Sequence, residues 1–87
     1  MSVDLKLAKV IVYGDLISQP TRAVLAFLLM NQLPHEFKEL RVFKGEHKTE
    51  AFKQLNPFQK VPTITDTGNS LNLFESHAIL KYLHATR

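Results

Sequence analysis

The stretch KVIVYGDLISQPTRAVLAFLLM, residues 9–30, contains the signals that decide the fold. It begins with a short apolar run, rich in β-branched residues, that stops at Gly14, which predicts a buried central strand. Ser18 is a favourable helix N-cap and Pro20 suits a first helical turn, so a helix is predicted to start there and to end near Asn31. A strand that leads directly into a helix is typical of an α/β domain.

The rest of the chain contains five further predicted elements. A second strand, a short helix, a hairpin of two strands and a closing helix are predicted at residues 35–42, 48–55, 61–65, 71–74 and 75–85. Asn56-Pro57 and the turn at 66–69 separate them. The predicted order is β-α-β-α-β-β-α, which gives an α/β fold with a four-stranded mixed sheet flanked by helices.

Length and composition exclude several classes of protein. The 87 residues suffice for one small domain, and 45% of them are hydrophobic, as in ordinary globular proteins. The chain has no cysteine, which excludes disulfides, thiolate metal sites and dithiol redox chemistry on this chain. Its net charge of +3 comes from scattered Lys and Arg residues, so no nucleic-acid partner is expected.

The distribution of apolar residues gives an expectation about location. No stretch approaches the ~18 apolar residues that a membrane span requires, so no membrane partner is expected. The N-terminal segment MSVDLKLAKV contains an acid and two lysines and does not resemble a secretory signal. A cytoplasmic location is therefore predicted.

One helix is apolar around its whole circumference. Residues 23–30, AVLAFLLM, are eight apolar residues in a row. At ~100° per residue such a run covers every side of a helix, and the sheet can bury only one side. The sequence predicts that a further domain or a partner chain covers Leu25, Phe27 and their neighbours. The alternative is a small exposed apolar patch without a function.

Three motifs together resemble the N-terminal domain of glutathione transferases, and of the theta class in particular. They are YGDLISQPTR at 13–22, NPFQKVP at 56–62 and LFESHAI at 73–79. The resemblance extends from about Val10 to Leu83. It implies a thioredoxin-like fold for residues 1–87, with glutathione as its ligand. Members of that family continue into an all-helical C-terminal domain, which this chain lacks, so the chain alone is expected to show little or no activity.

Ser18 is the candidate residue for the thiol end of glutathione. A hydrogen-bond donor at a helix N-terminus lowers a thiol pKa from its usual value near ~8.5. From its position alone, Ser18 is better explained as a helix cap. The resemblance implies that its hydroxyl stabilises the glutathione thiolate and is the catalytic group. Tyr13 is the alternative, because other classes of the family use a tyrosine near the end of the first strand; the theta-like motif favours Ser18 and leaves Tyr13 structural.

Glu75 and Ser76 are the candidate residues for the γ-glutamyl end. They lie where a strand gives way to a helix, and free N–H groups at a helix start bind anions. Both residues are also explained as helix caps. The resemblance implies that Ser76 binds the γ-glutamyl carboxylate and that Glu75 pairs with the ammonium group.

The remaining contacts are implied by the resemblance alone. A cis peptide bond is expected at Val61-Pro62, with Pro62 structural and with the Val61 backbone pairing with the cysteinyl backbone of glutathione. His47 and Lys60 are the candidates for the glycine carboxylate. Gln59 is a weaker candidate for the same end.

The implied activity is transfer of glutathione to a small electrophile, or removal of a halide or similar leaving group, in detoxification. Glutathione is a co-substrate, and no bound cofactor is expected. No metal is expected either, since His77 and His84 on the last helix are too few to form a site. The full-length protein is expected to be a homodimer. The alternative function is a non-catalytic interaction module of the same fold, in which the glutathione pocket is usually eroded; the near-complete set of pocket residues favours the transferase.

Overall fold

The computed structural model describes residues 7–87. The first six residues, on which the expectation of no secretory signal partly depends, lie outside the described part. The elements are β1 (Val10–Gly14), α1 (Gln19–Met30), β2 (His35–Glu39), α2 (Glu50–Leu55), β3 (Thr63–Asp66), β4 (Leu71–Phe74) and α3 (Ser76–Thr86). Two single-turn 3₁₀ helices, Val42–Lys44 and Glu46–Lys48, lie between β2 and α2.

The four strands form one mixed sheet in the order β2-β1-β3-β4. β1 and β2 are parallel, whereas β1–β3 and β3–β4 are antiparallel. The predicted β-α-β-α-β-β-α order and the thioredoxin-like fold are therefore confirmed. No helix within residues 7–87 is long and apolar enough to cross a membrane.

The core lies between one face of the sheet and the helices α1 and α3. It consists of fully buried aliphatic side chains from β1, α1, β3 and α3: Val10, Val12, Val24, Leu28, Ile64, Ile79 and Leu83. Strand residues alternate between the two faces of a sheet. Ile11 and Tyr13 therefore point to the opposite face, where Tyr13 meets Phe52 of α2.

Several element boundaries differ from those predicted. β2 ends at Glu39 instead of 42, because the chain turns into the 3₁₀ helices, where Gly45 takes a left-handed φ of 74°. α2 starts at Glu50 instead of 48, because the Thr49 hydroxyl caps it by accepting the Phe52 N–H. β3 starts at Thr63 instead of 61, after Pro62, which has no N–H for the ladder.

The apolar helix α1 is only partly covered. Leu25 and Phe27 pack against the core but are only partly buried, so part of each side chain stays exposed. Leu29 and Met30 are 64% and 83% exposed, and they form the apolar surface at the end of the helix. α1 thus has an exposed apolar side within residues 7–87. That a further domain or a partner chain covers it stays a prediction.

A buried ion pair joins the end of α3 to the sheet. The guanidinium of Arg87 contacts both carboxylate oxygens of Asp66, at 2.6 and 3.1 Å. The Tyr82 hydroxyl also donates to Asp66, and Asn69 donates to the Tyr82 hydroxyl at 2.9 Å. Burial alone would raise the pKa of Asp66, but hydrogen bonds from Arg87 and Tyr82 hold it below its usual value.

Candidate functional site

Strand register brings three of the motif segments to one end of the sheet. Tyr13, near the end of β1, pairs with Thr63 at the start of β3, and Thr63 pairs with Phe74 at the end of β4. The entry to α1, the loop before β3 and the start of α3 therefore meet at this edge, which we call the motif edge. Parallel β2 also ends here, so the 3₁₀ helices leave the sheet at the same side.

Ser18 lies at the start of α1 on this edge. It is the N-cap residue, and its Oγ accepts the N–H of Thr21 at 3.3 Å. Its backbone oxygen accepts the N–H of Arg22 at 3.1 Å. The predicted cap is thus confirmed. Because the hydroxyl acts as an acceptor in this bond, its own hydrogen can still be donated to a ligand.

Gly14 allows the start of α1 to pack closely against β1. A Cβ atom at this position would lie 2.5 Å from Cγ2 and 2.7 Å from Oγ1 of the buried Thr21. No side chain fits in that space. Sequence reasoning treated Gly14 only as the end of a strand, whereas in the structure it fixes the distance between the strand and the turn that bears Ser18.

Asp15 is a second residue that sequence reasoning missed. Its carboxylate accepts the N–H groups of Ile17 at 3.1 Å and of Val42 at 2.9 Å. Hydrogen bonds from Val42 and then Ile17 lower the pKa of Asp15, against the opposing effect of burial. An Asp that follows a strand-ending Gly was a signal for a turn, but no local pattern could identify Val42 as its partner.

Tyr13 packs on the α2 side of the sheet. Its ring centroid is 6.0 Å from that of Phe52, and Nζ of Lys38 lies 5.8 Å from it. Tyr13 also lines an apolar cavity of about 230 Å³ with Leu40 and residues of α2. These contacts are consistent with a structural role, and the choice between Ser18 and Tyr13 stays a prediction.

The loop before β3 is held by a buried asparagine. Nδ2 of Asn56 donates to the Lys60 oxygen and to Oγ1 of Thr63, both at 3.1 Å, and its Oδ1 accepts the Phe58 N–H at 2.9 Å. The expected cis bond between Val61 and Pro62 is present. Asn56 therefore fixes the loop that carries two of the candidate residues, a role beyond the helix end predicted for it.

The loop side chains differ in exposure. Lys60 is exposed, whereas Val61 is half-buried just ahead of β3. The side chain of Gln59 donates to the Thr49 oxygen at 3.3 Å, which directs it toward the start of α2. Of the two side chains suggested for the glycine end in this loop, Lys60 is the one whose end is in solvent.

Glu75 and Ser76 form the junction between β4 and α3. Glu75 precedes the helix with a φ of 73° and a ψ of 112°, and its side chain makes no capping bond. A left-handed φ is costly for a residue with a side chain, and such residues concentrate at ligand sites. Ser76 is half-buried and is the first residue of α3, so a hydroxyl and the free N–H groups of a helix start lie together here.

His47 lies in the second 3₁₀ helix, beyond the edge formed by β2. It is half-buried, and its Nδ1 is buried without a hydrogen-bond partner in residues 7–87. Topology places His47 on the other side of Ser18 from Val61 and Ser76. Two hydrogen bonds join its segment to the Ser18 segment: the Leu40 N–H donates to the Gly14 oxygen at 2.7 Å, and the Val42 N–H donates to the Asp15 carboxylate at 2.9 Å.

Of the two histidines of α3, His77 directly follows Ser76, whereas His84 lies in the last turn of the helix. Within residues 7–87 no group of three or more His, Cys, Asp or Glu side chains could hold a metal ion. His84 lines a cavity of about 280 Å³ with Phe27, Asn31, Leu33 and Arg87, at the C-terminal ends of α1 and α3. His77 is exposed in the first turn of α3.

Comparison with known proteins gives consistent matches over most of the chain. The family model described as the N-terminal domain of glutathione S-transferase matches residues 18–86. Glutathione S-transferase theta-1 of Rattus norvegicus is 46% identical over 71 residues, which are 82% of this chain and 29% of the rat protein.

Two solved structures are similar to the whole described fold. A glutathione transferase homologue from Drosophila mojavensis with bound glutathione has a TM-score of 0.84 and 36% identity, over 90% of this chain and 35% of that one. Human glutathione transferase theta-2, in complex with glutathione and an unknown ligand, has a TM-score of 0.81 and 41% identity, over 87% of this chain and 30% of that one. The chain thus spans about a third of the length of the proteins it matches.

Proposed function

This chain belongs to the glutathione S-transferase family and corresponds to the N-terminal domain of that family. We propose that it binds glutathione and that Ser18 activates the glutathione thiol. The observation that carries the proposal is the place of Ser18. Its hydroxyl caps α1 at the edge where the Val61-Pro62 loop and the Glu75-Ser76 junction meet by strand register. Bound glutathione in the related structures of the fly homologue and human theta-2 supports the choice of ligand.

Ser18 acts on the sulfur. Its hydroxyl hydrogen is donated to the thiolate, and the positive end of the α1 dipole favours the same charge. Both effects lower the thiol pKa from about 8.5, so that more of the bound glutathione is ionised at neutral pH. The nucleophile belongs to the bound peptide, and Ser18 itself forms no covalent bond.

The other candidate residues hold the peptide. Ser76 and the N–H groups at the start of α3 bind the γ-glutamyl carboxylate, and the exposed Glu75 pairs with the ammonium group. Val61 offers its backbone groups to the cysteinyl residue. The half-buried His47 and the exposed Lys60 bind the glycine carboxylate.

The proposed reaction is nucleophilic substitution or addition by the thiolate. The sulfur forms a bond to an electrophilic carbon, and in a substitution a halide or similar group leaves with the bonding electron pair. Fixing the sulfur in place contributes through proximity and orientation. The electrophile is a small molecule whose pocket this domain supplies only in part.

The full-length protein is proposed to contain a C-terminal helical domain, to form a homodimer and to act in the cytoplasm. Support for the second domain comes from the exposed Leu29 and Met30 at the end of α1 and from the roughly threefold greater length of the relatives. The complete electrophile site and full activity are proposed to require that domain.

Titration with glutathione tests the proposal. Calorimetry should show binding, and the amide NMR signals of Ser18, Val61 and Ser76 should shift together, while those of Tyr82 and Arg87 at the far end should stay unchanged. Ser18→Ala is the matched variant, because it removes the hydroxyl and leaves the peptide-binding groups in place. Absence of binding at millimolar glutathione would reject the proposal and favour a non-catalytic interaction module.

A further inference from the structure

Asp15 is a buried acid that the proposed chemistry does not use. Its side chain is almost fully buried, with 4% exposed, and both of its oxygens accept backbone N–H groups. Oδ1 is bonded to Ile17, the residue directly before Ser18, and Oδ2 to Val42, which is 27 residues away in sequence. The Asp15 backbone oxygen also accepts the N–H of Ser18, at 2.9 Å.

Val42 is the first residue of the segment that carries His47. Successive backbone hydrogen bonds restrict the movement of that segment. The Gly45 N–H donates to the Val42 oxygen at 3.0 Å, and the Lys48 N–H donates to the Gly45 oxygen at 2.9 Å. The Glu46 carboxylate further accepts the N–H of Arg41 at 2.7 Å. A displacement of Val42 is therefore passed on to His47 instead of being absorbed by a flexible loop.

Only an ionised carboxyl group satisfies both donors. A carboxylate has acceptors on both oxygens, whereas an amide of the same shape presents an NH₂ group to one of the two N–H groups. In a buried position that mismatch leaves a donor unsatisfied. The pKa of Asp15 lies below its usual value because Val42 and Ile17 donate to it, so the group is charged at neutral pH.

We propose that Asp15 is a positioning residue that sets the distance between the two ends of the site. It bonds the segment of Ser18, at the thiol end, to the segment of His47, at the end for the glycine carboxylate. This inference rests on the proposed glutathione function. Its consequence is selectivity for the tripeptide. Because the two segments are hydrogen-bonded together, His47 is held in position for the glycine carboxylate. γ-Glutamylcysteine lacks the glycine and cannot make this contact, so it should bind more weakly.

The experiment compares the dissociation constants of glutathione and γ-glutamylcysteine, measured by calorimetry on the whole chain. Val42→Pro removes the N–H that Asp15 accepts. Proline suits this position, because Val42 starts a 3₁₀ helix and the preceding Arg41 is extended, with φ of −80° and ψ of 104°. Val42→Ala is the matched control, since it shortens the side chain but keeps the N–H. Asp15→Asn is the second variant.

The native chain should prefer glutathione to the dipeptide by about tenfold, as expected for one charge-assisted contact. In Val42→Pro and in Asp15→Asn the preference should fall to about threefold or less, while Val42→Ala keeps it. A thermal melt identifies a variant that does not fold. The ratio of the two dissociation constants is then taken from the variant that does fold. A purely structural role would weaken the binding of both peptides equally and leave their ratio unchanged.

An unchanged preference in a folded variant overturns the inference and leaves the proposed function intact. A native chain that binds both peptides equally also overturns it, because His47 then makes no contact with the glycine carboxylate that affects affinity. If the native chain binds neither peptide, the proposed function itself fails, and the inference fails with it.

Discussion

The two ends of the sheet are built in opposite ways. At the far end, the charges of Asp66 and Arg87 form a buried pair to which the Tyr82 hydroxyl also donates, and within residues 7–87 only Nε of Arg87 is left without a partner in this network. At the motif edge, Glu75 has an unfavourable φ. Within residues 7–87, the Ser18 hydroxyl accepts a hydrogen bond but donates none, and Nδ1 of His47 has no partner. The far end joins α3 to the sheet, whereas the motif edge has polar groups that we propose bind a ligand. Substitutions at the two ends should therefore have separable effects.

The largest effect on stability is expected at the far end, where Asp66 and Arg87 pair. Arg87→Met leaves the Asp66 carboxylate buried without its cation, and removing one partner of such a pair costs about 3 kcal/mol in the free energy of unfolding. Urea denaturation measures the loss, with Lys81→Met, an exposed change on the same helix, as the control. Glutathione affinity of the folded fraction should not change. A loss of affinity equal to the loss of stability would show that the two ends are not separable.

Gly14→Ala is expected to have the next largest effect. The added methyl group would meet the Thr21 side chain at 2.5 Å, and overpacking of this kind costs about 2 kcal/mol. Since Thr21 lies one turn from Ser18, glutathione affinity should fall as well. The double variant Gly14→Ala with Thr21→Ala removes both close atoms and should recover at least half of the stability in a urea titration. Equal stability of the single and double variants would exclude this clash as the cause.

Ser18→Ala should act mainly on the bound thiol. Loss of one hydrogen bond to a charged group, worth about 1.5 kcal/mol, should raise the pKa of bound glutathione by about one unit. The ultraviolet absorbance of the thiolate, followed against pH, gives this value. Tyr13→Phe is the comparison, and it should leave the pKa unchanged. A larger shift in Tyr13→Phe than in Ser18→Ala would assign the thiolate to the tyrosine.

The smallest effect is expected from mild acid. The pKa values of Asp66 and Asp15 are below the usual value of 3.8, so both carboxylates stabilise the folded state above that pH. This contribution is lost as the pH falls below about 4 and through the lower pKa values of the folded state. Urea midpoints measured between neutral and acidic pH should decline in that range. In Asp66→Asn the decline should be shallower, and an unchanged slope would mean that Asp66 does not contribute.

Local signals in the sequence were sufficient for the elements and for the fold class. Ser18 before Pro20 located the start of α1, and short apolar runs bounded by turn residues located the strands. The family resemblance added the cis bond at Val61-Pro62, which the structure contains. The boundaries of β2 and α2 were missed, because they depend on the 3₁₀ turns and on the Thr49 cap.

The support of the site was less visible in the sequence. Asp15 contacts Val42 across 27 positions, and Gly14 is required by the side chain of Thr21 on the next element. Asn56 looked like the end of a helix but fixes the following loop through Lys60. Each of these roles depends on a partner that only the folded chain brings near. The candidate ligand-binding residues were suggested by motifs, whereas the residues that hold them in place were not.

The pairing of Tyr13 with Thr63 and of Thr63 with Phe74 has a practical consequence. This one rung of the sheet aligns three of the candidate segments at one end of the strands, and the other end of the strands lies away from them. The turn between β3 and β4 lies at that other end, and Ser70 is exposed there. A fluorescent label attached at Ser70 would therefore report on the domain without obstructing the residues proposed to bind the peptide.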